Sequence, residues 1–283
     1  MSQMLETATA RRAKEALPWS LWLRQVGAIL RLELKKNLLG KRSVLLYLLA
    51  LLPIFLIVSL VAFPPDEIRD PIERNVVFAN IYGGLILRTV VFFGCAWIFM
   101  NLFRGDIVDR SLHYYFLSPV RREVLVAGKY LSGLLASMLL FVTTTVASML
   151  LLYIPFGGGS YLLGGAGFGQ LLAYAGISAL ACLGYGAFFL VVGLFFRNPI
   201  IPALILYGWE WLNFLLPPVL KKLSVIHYLN SLSPIPINEG PFAIIVEPTP
   251  AWISVPGLLF VTAMVLGLAS LQIRRMEIRY GGE

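Results

Sequence analysis

Long apolar stretches separated by short polar ones dominate this chain of 283 residues. A helix of about 20 apolar residues crosses the roughly 30 Å hydrocarbon core of a bilayer, so each stretch predicts a transmembrane helix. The stretches cover residues 43–63, 76–103, 131–154, 170–196, 200–216 and 252–272. The pattern therefore predicts an all-α polytopic membrane protein with six spans in a single domain, 43–272.

A different periodicity precedes the first span, within residues 17–39. There, apolar side chains recur every three or four residues and polar or basic side chains fall between them. The apolar set is Trp19, Trp22, Leu23, Val26, Ile29, Leu30, Leu34 and Leu38, and the other set is Arg24, Gln25, Arg31, Lys35 and Lys36. A soluble surface helix has a similar pattern, but tryptophans at one end and a basic face are typical of a helix that lies in the membrane plane. Because a span follows within a few residues, we expect an in-plane amphipathic helix.

Composition agrees with a membrane protein. Hydrophobic residues make up 58% of the chain and charged residues 13%, whereas soluble domains carry about 25% charged residues. The mean hydropathy is +0.80. Both cysteines, Cys95 and Cys182, fall inside apolar stretches, which indicates packing residues rather than a disulfide framework or a metal site.

The distribution of basic residues predicts the orientation. Nine of the 23 lysines and arginines lie in residues 1–42, five in 104–130, one in 197–199 and three in 273–283. The loops on the opposite side hold four, and Arg88 lies within the second span. Since cytoplasmic loops carry the excess of positive charge, we expect a multi-pass protein of the plasma or inner membrane with a cytoplasmic segment 1–42 and a cytoplasmic tail 273–283.

One outer segment, 217–251, differs from an ordinary loop. It contains seven of the 17 prolines together with many isoleucines and leucines. Exposed apolar side chains in such number favour a surface that contacts protein or membrane. We expect short helices or a re-entrant piece there.

The stretch that looks most like a nucleotide site does not qualify as one. Gly128-Lys129 would end a phosphate-binding loop, but Glu123 stands at the position of the first glycine and Tyr130 at that of the hydroxyl residue. Carboxylates among the basic and aromatic residues of 104–130 also disfavour a nucleic-acid surface. His113 and His227 fall on opposite predicted sides, so we expect no metal, cofactor or catalytic residues in this chain.

Two charged residues lie within predicted spans, Arg88 in the second and Glu210 in the fifth. An intramembrane charge costs on the order of 3 kcal/mol on insertion scales and therefore faces protein or water. We hypothesise that the two residues pair or line a path between subunits. The alternative is that Arg88 extends to the outer interface.

Small residues recur in the fourth span, where they let another helix approach closely. They are Ala175, Ala179, Cys182, Gly186 and Gly193. Packing within one subunit and contact between subunits both explain this stripe.

The segment "LSPVRREVLVAGKYLSGLL" (117–135) resembles the membrane subunits of ABC-2-type transporters. The matching positions are Leu117, Pro119, Arg121 or Arg122, Val124, Leu125, Gly128 and Lys129. The N-terminal amphipathic helix is similar to the connecting helix of that family. The resemblance implies a type V exporter-like ABC-2 fold.

Partners and site residues follow from the same resemblance. It implies a permease, itself not an enzyme, that binds a cytoplasmic ABC ATPase carrying ATP and magnesium, and a second permease subunit in a homodimer or heterodimer. Residues 104–117 would form the coupling helix that docks on the ATPase. Asp106, Asp109 and Arg110 would give charge complementarity, and Leu112, Tyr114, Tyr115 and Phe116 apolar anchors. Arg121, Arg122 and Lys129 would lie near anionic headgroups. An ATP-independent secondary carrier or membrane scaffold stays open as the alternative.

Overall fold

The computed structural model describes residues 19–41, 43–108, 117, 120–165, 167–196, 198–237, 243–244 and 247–275. Regular structure in these ranges is helical. In chain order the helices are α1 (Trp19–Leu39), α2 (Ser43–Ala62), α3 (Asp66–Arg69), α4 (Pro71–Ile81), α5 (Phe92–Val108), α6 (Arg122–Tyr153), α7 (Gly159–Gly164), α8 (Gly167–Phe195), α9 (Ile200–Trp211), α10 (Pro218–Lys221), α11 (Val225–Ser231) and α12 (Ala251–Arg275).

Within the described residues, five continuous helices are long and apolar enough to cross a membrane. They cover Ser43–Ala62, Pro71–Val108, Arg122–Phe156, Gly167–Phe195 and Ala251–Ile273. This confirms the helical class and fits a multi-pass membrane protein. The remaining apolar stretch forms a shorter helix, Ile200–Leu215, which at about 1.5 Å per residue is roughly 24 Å long and falls short of a hydrocarbon core of about 30 Å.

The second long helix contains an unusual segment. Between α4 and α5 the backbone is a π-helix over Tyr82–Val91, which includes Arg88. π-Helices are rare and occur mostly as single turns. Gly83 lies in this segment, and a Cβ atom there would come within 2.6 Å of the Ile237 side chain. The segment after α11 therefore packs directly on the π-helix.

Glycines allow three helices to meet around Phe99 of α5. Its ring is fully buried, and a Cβ at Gly186 of α8 or at Gly133 of α6 would lie 2.4 or 2.9 Å from that ring. About two helical turns further along α8, a Cβ at Gly193 would lie 2.9 Å from the backbone of Met100. Gly186 and Gly193 of the predicted stripe thus serve packing within the chain.

Hydroxyl groups connect the same helices further along the bundle. The Tyr82 hydroxyl donates to the Tyr174 carbonyl at 3.1 Å and lies 3.0 Å from the hydroxyl of Ser178, which is 2.9 Å from that of Thr145. All four residues are buried. Cys95 and Cys182 are likewise buried free thiols, as expected for packing residues.

Two contacts define the ends of the bundle. Arg122, in the first turn of α6, donates to the carbonyl of Ile273 in α12 at 2.9 Å, and α1 packs along the first turns of α6. We name this the α1 end. At the opposite end, the buried Arg74 donates to the Ile68 carbonyl at 2.7 Å and lies 4.9 Å from the centre of the Phe156 ring.

Candidate functional site: a charge cluster at the α1 end

Four charged side chains meet where α1, α5 and α6 come together. Glu33 and Lys36 belong to α1, Asp106 to the last turn of α5 and Lys129 to the second turn of α6. We call these four residues the charge cluster. Glu33, Asp106 and Lys129 are at most 2% exposed, while the Lys36 side chain is 43% exposed.

Lys129 is the centre of the charge cluster. Its ammonium group donates to Asp106 Oδ2 at 2.5 Å, to the Leu102 carbonyl at 2.7 Å and to the Glu33 carboxylate. An ammonium group has three N–H donors, and these three acceptors match that number. The Phe103 ring, with its centre 5.3 Å from Nζ, covers another side of the ammonium.

Asp106 connects the buried lysine to the partly exposed one. Its Oδ1 accepts from Lys36 Nζ at 2.7 Å, while its Oδ2 binds Lys129. Among the described residues, two lysines thus pair with two carboxylates. This balance matters because an uncompensated buried charge costs several kcal/mol.

The glycine before Lys129 explains how α1 comes so close. A Cβ at Gly128 would lie 3.0 Å from the Ile29 side chain, so a larger residue there would require that side chain to shift. Glu33 is one helical turn beyond Ile29 on the same face of α1. The contact between Gly128 and Ile29 thus brings the Glu33 carboxylate to Lys129.

The charge cluster ties together the helices on both sides of residues 109–121. α5 leads into this segment, α6 leads out of it, and α1 is fixed to both by Lys36 and Glu33. The charge cluster can hold the three helices together, because each of its carboxylates binds a lysine of another helix.

Only part of the predicted coupling helix can be placed. Residues 104–108 continue α5 without a break, so Asp106 points into the bundle and its carboxylate is bound by lysines of the same chain. Asp109, Arg110, Leu112, Tyr114, Tyr115 and Phe116 lie outside the described residues, and their role stays a prediction.

Lys129 differs from its expected position. The sequence pattern predicts a lysine near anionic headgroups, whereas the structure buries it completely. The reason is that Lys129 lies on the face of α6 that meets α1 and α5, where two carboxylates compensate its charge. The headgroup prediction for Lys129 was wrong.

Glu210 has a role that the sequence does not indicate. Its buried carboxylate accepts the N–H groups of Val225 and Ile226 at 3.0 and 2.8 Å and the hydroxyls of Ser224 and Tyr185 at 3.0 and 3.2 Å. The side chain thus caps the N-terminus of α11 from the last turn of α9, a favourable place for a carboxylate. Arg88 is not among these four donors, and its pairing with Glu210 stays a hypothesis.

Sequence reasoning missed Glu33 and Lys36 as members of a site. Glu33 carried a signal, because it follows Ile29 by four residues and Leu30 by three and so falls within the apolar stripe of α1. An acidic residue in such a stripe suggests a buried cationic partner. Which cation, and from which helix, depends on the packing.

The chain was also compared with known proteins. No family model, curated protein or solved structure matches it.

Proposed function

We propose that this chain is the membrane-spanning permease subunit of an ABC-2-type transporter, and that it couples export along a membrane path to a separate cytoplasmic ATPase. The observation that carries the proposal is the charge cluster. It joins the amphipathic helix α1 to the two helices that flank the predicted coupling segment. A permease driven by another subunit needs a stiff connection of this kind between its docking surface and its spans.

The proposed roles of the ATPase and the permease follow from this arrangement. ATP and magnesium bind the partner ATPase, whose movements act on residues 109–117. The charge cluster passes the displacement to α1, α5 and α6 together, because Lys129 binds acceptors on both other helices. A second permease subunit, identical or homologous, completes the path.

The proposed topology has six crossings, the fifth of them broken. Gly193 lies against Met100 and Ile273 binds Arg122, so α8 and α12 both end toward the α1 end. The chain between them must therefore return to the opposite end. α9 covers the first part, about 15 Å up to Glu210, and α11 starts at the residues that Glu210 caps and continues the passage.

The position of α11 beside the middle of α8 supports the broken crossing. Val225, the first residue of α11, is 3.5 Å from a Cβ placed on Gly184, well inside α8. Beyond α11, Ile237 reaches Gly83 in the π-helix. α9 and α11 thus follow one another along the bundle.

The same break favours the second candidate function, an ATP-independent carrier. Carriers often use discontinuous helices whose ends meet near the membrane midplane around polar groups, and Glu210 between α9 and α11 is such a group. The charge cluster has no evident role in a carrier. For this reason we prefer the permease to the carrier.

Co-purification with an ATPase tests the proposal. The tagged chain, expressed in its own host and solubilised from membranes, should retain a protein that contains a complete Walker A motif. The double variant Tyr115→Glu/Phe116→Glu should lose it, because charged residues would replace two apolar anchors. Phe63→Glu, which changes an aromatic residue 83% exposed after α2, is the matched control and should retain it.

Two results would count against the permease. Retention of the ATPase by the double variant would contradict the coupling segment. Transport that persists in vesicles without ATP, with no ATPase bound to the wild-type chain, would support the carrier instead.

A further inference from the structure

An apolar groove of about 350 Å³ lies between the start of α1 and the start of α6. Its apolar lining consists of Trp19, Trp22, Leu23, Val26, Val124 and Ala127. Trp19 and Leu23 are 63% and 69% exposed. The groove is therefore an open slot with an apolar floor, at the end of a long apolar helix.

Charged groups border one side of this groove. Arg121 and Glu123 line it, and a second cavity of about 340 Å³ borders Arg121, Arg122 and Glu123. The Arg121 guanidinium lies 4.7 Å from the centre of the Trp22 ring, so Trp22 holds this cation at the mouth of the slot. The groove and the second cavity share Arg121 and Glu123, and Arg122 of the second cavity brings the pair of cavities to two guanidinium groups and one carboxylate.

We propose that this groove binds one anionic phospholipid, with an acyl chain along the apolar slot and the phosphate beside Arg121. Three features support this occupant. The lining of the slot is mostly apolar, guanidinium groups border its mouth and the adjoining cavity, and tryptophan lies at the boundary, where aromatic side chains sit at headgroup level. Basic pockets next to membrane helices on the cytoplasmic side are typical sites for anionic headgroups.

The fold keeps the proposed lipid site separate from the charge cluster. Arg121 is exposed and contacts Trp22 of α1, whereas Lys129, two turns further along α6, is buried among carboxylates. Of the basic residues at this helix start, Arg121 thus remains available to a phosphate. A lipid bound there would also bridge α1 and α6, and would stabilise their contact from outside.

Lipid titration of the purified full-length chain tests the site. Native mass spectrometry would measure binding of dioleoylphosphatidylglycerol and, separately, dioleoylphosphatidylcholine from mixed micelles. We expect tighter binding of the phosphatidylglycerol. Arg121→Gln should weaken that binding about fivefold, the effect of one basic residue at an anionic surface, and leave phosphatidylcholine binding unchanged.

Two further variants separate the headgroup from the acyl chain. Glu123→Gln should strengthen phosphatidylglycerol binding, because it removes the carboxylate at the mouth. Ala127→Phe should weaken the binding of both lipids, because the ring would fill the slot. Lys222→Gln removes one exposed positive charge elsewhere on the chain and is the matched control, with binding expected to equal the wild type.

Some outcomes would overturn the proposal. Equal binding of the two lipids, or equal behaviour of Arg121→Gln and Lys222→Gln, would show that no anionic headgroup is recognised here. Protection of an Ala127→Cys thiol by a partner ATPase but not by phosphatidylglycerol would assign the groove to a protein. The lipid measurements use the isolated chain, so their outcome does not depend on whether the chain is a permease.

Discussion

Lys129 illustrates how a charge is accommodated within an apolar helix. Its ammonium group is fully buried, yet Glu33, Asp106 and the Leu102 carbonyl accept its three N–H donors. Removal of one partner from a buried ion pair typically costs about 3–5 kcal/mol, because the other charge stays behind uncompensated. The stability of this junction therefore depends on the balance of charges more than on any single contact.

We predict that Lys129→Met lowers the free energy of unfolding by about 3–5 kcal/mol. Glu33→Gln in the same chain should restore part of this loss, because Lys36 and Asp106 then remain as a balanced pair. The free energies would be measured by titrating the purified protein in mixed micelles with sodium dodecyl sulfate. A double variant no more stable than Lys129→Met alone would show that Glu33 and Lys129 are not coupled.

At the scale of elements, close packing of α5, α6 and α8 depends on glycines placed opposite one aromatic ring. Phe99 is fully buried between Gly133 and Gly186, so its ring has no room to move aside. Inserting a methyl group into such a core costs typically about 1–3 kcal/mol. The glycines are therefore steric requirements of the helix contact.

We predict that Gly186→Ala destabilises the bundle by about 1–3 kcal/mol, because the new Cβ would lie 2.4 Å from the Phe99 ring. Gly176→Ala is the control on the same helix, since a Cβ there meets no atom within 4 Å. Its higher helix propensity should leave stability unchanged or raise it by up to about 1 kcal/mol. Thermal unfolding in detergent would compare the two variants. Equal unfolding temperatures would mean that Phe99 can relax after all.

At the scale of the whole molecule, the proposed topology follows from the ends of the helices. α8 and α12 both end toward the α1 end, as the contact between Arg122 and Ile273 indicates for α12. We therefore propose that the broken element made by α9 and α11 provides the passage between them, which would give six crossings.

We predict that single cysteines report sides that agree with the five proposed crossings before α12. A membrane-impermeant maleimide should label Ser160→Cys and Glu247→Cys in intact cells, and Lys41→Cys and Asn198→Cys only after permeabilisation. All four positions are exposed, and the native Cys95 and Cys182 are buried, so the wild-type chain serves as a low-labelling control. If Glu247→Cys were labelled from the same side as Asn198→Cys, α9 and α11 would not cross.

Periodicity and composition alone predicted the helical class, the five long helices and α1. They also predicted a sixth span, whose apolar stretch forms the shorter helix Ile200–Leu215. These follow from local physics, because an apolar stretch of about 20 residues in lipid must satisfy its backbone hydrogen bonds as a helix. Short helices within 217–251 were also predictable, because prolines interrupt an apolar segment there. The sequence assigned this whole segment to the outer side, whereas the proposed topology places α11 within the bundle, beside Gly184 of α8. The loop charges predict an orientation, which awaits the labelling experiment.

Only the tertiary structure decided which residues meet. Glu33, Asp106 and Lys129 are far apart in sequence, and their cluster exists because Gly128 lets α1 approach α6. The cap that Glu210 of α9 provides for α11 likewise depends on how two helices meet. Sequence periodicity reports which face of a helix avoids water, whereas the partner of a buried charge is chosen by the packing of helices distant along the chain.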